Sequence, residues 1–158
     1  MMKALVVYDS YFGNTEQIAK AVGVGLGAGE DNVKRVGDVE VTLLKEIEVL
    51  VVGSPTRGFR PSERTALFLK ELPTGCLSGV RIAAFDTRLD LDRIEKKALR
   101  FIVKTGGYAA KHIAADLQKN GGQLALPPEG FLVIGEEGPL LDGELQRAEA
   151  WGASLLEG

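Results

Sequence analysis

The residues best suited to chemistry lie close to the start of the chain, in Asp9-Ser10-Tyr11-Phe12-Gly13-Asn14-Thr15. Ser10 and Thr15 each offer a hydroxyl and Asn14 offers an amide. Gly13 admits backbone paths that other residues resist and keeps side-chain bulk away from an approaching group. The apolar run Ala4-Leu5-Val6-Val7-Tyr8 precedes this segment, and Glu16-Gln17-Ile18-Ala19 opens a helical pattern after it. A turn placed between a strand and a helix aims backbone N–H groups and a helix N-terminus at one point, which suits an anion. The turn holds no lysine or arginine, so N–H donors and the helix terminus would carry the charge. It lacks the Gly-Lys-Ser/Thr ending of a triphosphate loop and the Gly-x-Gly-x-x-Gly of a dinucleotide fold. A mononucleotide phosphate or a bare anion remains, beside the plainer reading of a strand-to-helix turn capped by Ser10 or Asn14.

Other chemistries find less support. With one histidine, His112, and one cysteine, Cys76, a metal centre would need mainly carboxylates, and no such constellation stands out. A nucleophile–histidine–acid arrangement is equally unsupported. Cys76 reads as a small buried hydrophobe near the start of a strand, and Tyr108 and Trp151 as helix packing residues. The net charge of -3 and the absence of a basic block argue against nucleic acid and anionic membranes as partners. A single cysteine fits a reducing compartment. Met1-Met2-Lys3 runs directly into the first strand, and no run is long enough to cross a bilayer. A cytoplasmic protein with no signal peptide and no membrane insertion is expected, as a monomer or weak homodimer.

These groups need positioning elements, and strand and helix patterns alternate along all 158 residues. Strands are expected at 4–8, weakly at 33–36, at 48–52 and at 80–85. A last strand is split into 123–126 and 131–134 by Pro127-Pro128, which suits an edge or a bulge. Helices are expected over 14–27, 62–72, 91–103, 108–119 and 142–156, with Leu145, Ala148, Trp151, Gly152 and Leu155 as the last helix's apolar stripe. Residues 41–47 read as irregular or as one helical turn. The alternation predicts one α/β domain: a five-stranded parallel sheet with helices on both faces. Ligands of such sheets sit beyond the C-terminal strand ends. That rule selects three loops: Asp9 to Thr15, Ser54-Pro55-Thr56-Arg57-Gly58-Phe59, and Asp86-Thr87-Arg88 onward to Asp90.

The segment Val6 to Ala19 resembles the phosphate signature of the flavodoxin family, and Gly53-Ser54-Pro55-Thr56 resembles that family's second cofactor loop. Gly152 beside Trp151 in the last helix is similar to the same family, and the likeness spans essentially the whole chain, with the length of the short-chain branch. The resemblance implies a three-layer flavodoxin-like sandwich with strand order 2-1-3-4-5 and a non-covalent FMN. It implies that Ser10, Tyr11, Phe12, Gly13, Asn14 and Thr15 surround the phosphate. Ser54, Pro55 and Thr56 would lie near the ribityl chain and ring edge. Gly58 falls where the family often keeps a glycine whose peptide turns over on flavin reduction. Asp86, Thr87 and Arg88 would border the pyrimidine side.

The chain departs from the family's pattern at the ring. Arg57 stands where a tryptophan is common, with Phe59 close by, and the third loop has no tyrosine. Arg57, Arg60 and Arg88 would make the rim positive, which should favour the negatively charged reduced flavin; Arg57 or Arg88 could instead stack on the ring. The function implied is an FMN-binding electron-transfer protein between a reductase and redox protein partners. Its alternatives are an FMN-dependent quinone or protoporphyrinogen-type oxidoreductase, or a flavin-free binding protein of the same fold.

Overall fold

A computed structural model describes residues 3–57, 60–89 and 108–157. The expected helix over 91–103 lies outside these residues, as do Gly58, Phe59 and Asp90. The strands are β1 (Ala4–Tyr8), β2 (Val33–Arg35), β3 (Val49–Pro55), β4 (Arg81–Leu89), β5 (Gln123–Leu124) and β6 (Glu129–Val133). The helices are α1 (Asn14–Leu26), α2 (Glu63–Lys70), α3 (Ala109–Lys119) and α4 (Glu144–Ser154). Residues Val41–Lys45 form a 3-10 turn, as the pattern there suggested.

The strands pair in parallel in the order β2-β1-β3-β4-β5, with β6 also paired to β4. β5 and β6 occupy one edge position, separated by the Pro127-Pro128 segment; proline has no N–H for the ladder. The sheet is therefore the five-position parallel arrangement that the alternating pattern predicts.

Period-two alternation divides the strand side chains between two cores. Leu5, Val7, Leu50, Val52, Ile82 and Ala84 meet Leu69 of α2 and Ile113 and Leu117 of α3 on one face. Val6, Tyr8, Val51 and Phe85 meet Ile18 and Val22 of α1 and Ala148 of α4 on the other. Phe85, Phe131 and Trp151 pack edge-to-face there, with centroids 5.9 to 6.1 Å apart.

Helices α1 and α4 touch backbone to backbone. A Cβ on Gly152 would lie 2.4 Å from the Val22 carbonyl oxygen, and one on Gly25 would lie 2.0 Å from the Glu149 carbonyl oxygen. Gly25, which weakens a helix by propensity, permits this close approach.

Two strands run past their expected ends. β3 runs on through Ser54 and Pro55, and β4 through Asp86, Thr87, Arg88 and Leu89, where polar composition predicts loops. Asp86 and Arg88 are two residues apart and share one face, so each satisfies the other while the ladder to β6 continues. Leu145 is 41% exposed rather than part of the stripe. Glu144 takes the inward position, accepting from the Leu132 N–H at 2.7 Å and from Arg147. Cys76 is only half-buried, in the turn after α2.

Candidate functional site

The C-terminal ends of β1, β3, β4 and β6 converge on a cleft of about 300 Å³. Ser10, Tyr11, Phe12, Asn14 and Thr15 form one wall, and Pro55, Thr56, Arg57, Thr87 and Arg88 contribute to the opposite side. Ten of the fifteen residues singled out in the sequence thus line one space. Leu89, inside the third selected loop, completes it together with Val133 and Glu136, which were not singled out.

At one end lies the turn into α1. Gly13 sits at φ 91°, and no side chain caps the helix. Neither Ser10 nor Asn14 acts as the cap of the plainer reading. The Ser10 hydroxyl instead accepts from the Gly13 N–H at 3.0 Å and tightens the turn. The first N–H groups of α1, which have no partner within the helix, are left for an outside acceptor. Thr15 Oγ1 lies 2.8 Å from Thr87 Oγ1, which joins α1 to β4. The Asn14 amide donates to the Glu137 carbonyl at 3.2 Å and fastens the loop after β6.

Behind this wall is a buried network. The Ser62 hydroxyl donates to Asp9, caps α2 by accepting from the Thr65 N–H, and the Ser62 N–H donates to Ser54 Oγ at 2.9 Å. Ser54 and Asp86 are both fully buried and spend their polar atoms inside the protein. They support the cleft and do not line it, contrary to expectation.

Arg35 was also missed by sequence reading. It pairs in register with Tyr8, and its guanidinium donates to the Ser10 carbonyl at 3.3 Å. It also lies 3.9 Å from Asp9 and 3.7 Å from Glu16. The Tyr8 hydroxyl donates to Glu16 at 3.0 Å. That bond, with Lys20 and Arg35 nearby, outweighs desolvation and holds the Glu16 carboxyl below its ordinary range. Burial, then Glu16, pushes the Tyr8 phenol up.

The other end is built differently. Beyond β3, the Arg57 and Arg60 backbones exchange hydrogen bonds of 2.8 and 3.0 Å. The Arg57 guanidinium lies 4.7 Å from the Tyr11 ring centroid and 5.3 Å from that of Phe12. Its Nη1 donates to Glu136 Oε1 at 3.1 Å. Arg57 therefore bridges three loops across the cleft mouth. Tyr11 and Phe12 remain about half exposed, at 49% and 46%.

Arg88 does not add to a positive rim. Its Nε and Nη2 donate to Asp86 at 2.7 and 2.8 Å, and its guanidinium lies 3.5 Å from the Tyr108 ring centroid. Asp86 also accepts from the Ala110 N–H at 2.9 Å, at the start of α3. Burial pushes the Asp86 carboxyl above its usual range, against the pull of Arg88 and Ala110. Tyr108 does more than pack: it carries Arg88, and burial raises its phenol.

A sequence profile described as Flavodoxin matches residues 6–151. The chain belongs to the flavodoxin family. A flavodoxin structure from the domain Archaea is 26% identical with a TM-score of 0.76, covering 99% of this chain and 97% of that one. Flavodoxin 1 and Flavodoxin 2 from Bacillus cereus are each 19% identical with TM-scores of 0.73, covering 98% of this chain and 97% and 98% of theirs. No curated protein matches the sequence.

Flavodoxin-family membership supports FMN binding and electron transfer in general terms. The residues present fit that group. The uncapped helix start and the hydroxyls of Ser10 and Thr15 suit a phosphate, and Tyr11, Pro55, Leu89 and Val133 give the rest of the cleft apolar walls. Among the described residues no helix is long and apolar enough to cross a membrane, and no three His, Cys, Asp or Glu side chains gather as a metal centre.

Proposed function

We propose that this flavodoxin-family protein is an FMN-binding electron carrier that passes electrons between a reductase and redox protein partners. The observation that carries the reading is the bare N-terminus of α1 behind Gly13, opening into the cleft between Tyr11, Pro55 and Thr87. FMN, when bound, supplies one- and two-electron chemistry.

The chain's own residues have four tasks in this reading. The first-turn N–H groups of α1 and the Thr15 hydroxyl hold the phosphate. The Asp9–Ser62–Ser54 network keeps those donors in place. Val133, buried beneath the cleft, excludes water from its inner wall, and Leu89 adds an exposed apolar face to it. Tyr11 and Phe12, half exposed, leave an edge of the cleft open to a partner surface. A carrier needs no acid–base pair of its own. The charged groups on the cleft fit this, since Arg57 is paired with Glu136 and Arg88 with Asp86.

Titration of FMN with the purified protein tests the reading through quenching of flavin fluorescence. Saturation at one FMN per chain is expected. A protein that leaves the fluorescence unchanged overturns it. Turnover of a quinone with NAD(P)H by the protein alone would replace the carrier with an enzyme.

A further inference from the structure

Each arginine on or behind the cleft has a different degree of freedom. Arg88 is held by two short hydrogen bonds to fully buried Asp86 and lies against Tyr108. Arg35 faces the outer side of the first loop, engaged with the Ser10 carbonyl, Asp9 and Glu16. Arg57 alone among these three is paired only at the surface: its side chain is 41% exposed and that of its partner Glu136 is 75% exposed. Exposed pairs hold weakly and exchange readily. Its other contacts, the faces of Tyr11 and Phe12, attract any cation without fixing one geometry.

We propose that Arg57 is the charge-selecting residue of this cleft: it trades Glu136 for a negatively charged ring and so shifts the balance of binding toward reduced, anionic FMN and away from the oxidised, neutral form. The proposal rests on the FMN reading above. A guanidinium already lying over Tyr11 and Phe12 is poised to cover a flat ligand entering beside them. A neutral ring must compete with Glu136 for it on stacking alone. An anionic ring competes on charge as well, in a partly desolvated cleft where charge counts for more than in bulk water. Glu136 is then the competitor, and its removal should strengthen the preference. Oxidation state and affinity are linked, so the ratio of the two dissociation constants appears directly as a shift in the midpoint potential of bound FMN relative to free FMN.

The test measures that potential for the wild type, Arg57→Gln, Glu136→Gln and Glu137→Gln. Arg57 and Glu136 are exposed, so the variants are expected to fold. Arg57→Gln should shift the ratio of the two dissociation constants about tenfold against the reduced form, a fall of ~30 mV in the two-electron couple of oxidised and fully reduced FMN. Glu136→Gln should move the potential the opposite way by a few-fold in the ratio. Glu137→Gln removes the same charge from the neighbouring position and should move it less than Glu136→Gln. An unchanged ratio in Arg57→Gln, or equal shifts in the two glutamate variants, overturns the charge-selecting role while leaving FMN binding intact. A wild type that binds neither form overturns the FMN reading and this role together.

Discussion

The two ends of the cleft are made of different material. At the end nearest α1 the polar groups sit on strand and helix termini and are buried: Asp9, Thr15, Ser54, Ser62, Asp86 and Thr87 are all at most 6% exposed. Each bonds to another member of the set or to a neighbouring backbone group. At the mouth, Arg57, Glu136, Tyr11 and Phe12 sit on loops, are exposed, and touch through one ion pair and two cation–π contacts. The lesson is a division of labour. Satisfied buried networks fix a geometry, because any displaced member leaves an unpaired polar atom. Loop-borne surface charges can change partners at little cost.

The sharpest break of this contrast is Arg88→Ala. It leaves the Asp86 carboxylate buried without its cation and should cost about 3–5 kcal/mol of stability in urea denaturation. Thr15→Glu places a negative charge at the helix start and should weaken FMN binding by about 100-fold, ~2.7 kcal/mol, read by fluorescence titration. Ser62→Ala removes a helix cap and the partner of Asp9 together, at a cost of about 1–3 kcal/mol. Arg57→Ala, at the mouth, should change stability by no more than about 1 kcal/mol while still altering flavin affinity. A large stability loss in Arg57→Ala, or none in Arg88→Ala, would erase the distinction between the two ends.

Acid stability offers the finest test, away from the cleft. Burial pushes Glu144 up, but the hydrogen bonds from Arg147 and Leu132 and the Arg147 charge leave its carboxyl net below the ordinary range. Its folded value lies beneath its unfolded one, so its contribution is complete above about pH 4.3 and is lost as pH falls through the folded value. Glu144→Gln should therefore flatten the acid limb of the stability curve. Asp86 runs the other way. Its raised value means that its contribution is present at low pH and lost as pH rises through the folded value.

Much of this was legible in the residues. Val49-Leu50-Val51-Val52 and Ala4 to Tyr8 announce buried parallel strands. The first loop was legible because hydroxyls, an amide and a glycine crowd one turn. The strand ends were not. Asp86-Thr87-Arg88 looks like a loop by composition; the ladders to β3 and β6 make it a strand, with Arg88 satisfying Asp86 on one face. Arg35 was hidden because β2 is three residues long and weakly patterned. Glu136 lies beyond the C-terminal end of β6, where the rule that ligands gather at strand ends applies equally, but Pro127-Pro128 mark only the start of that strand.

The glycine contact between α1 and α4 has a consequence at a distance. Gly25 stands eleven residues from Asn14 along α1, about 16 Å at helical rise, yet it lets the helix lie against its neighbour with no side chain between them. Clamped at its far end, α1 works as a strut whose tip cannot slide or roll. Whatever tuning this molecule performs must then come from the loops around a stationary tip, never from repositioning the tip itself.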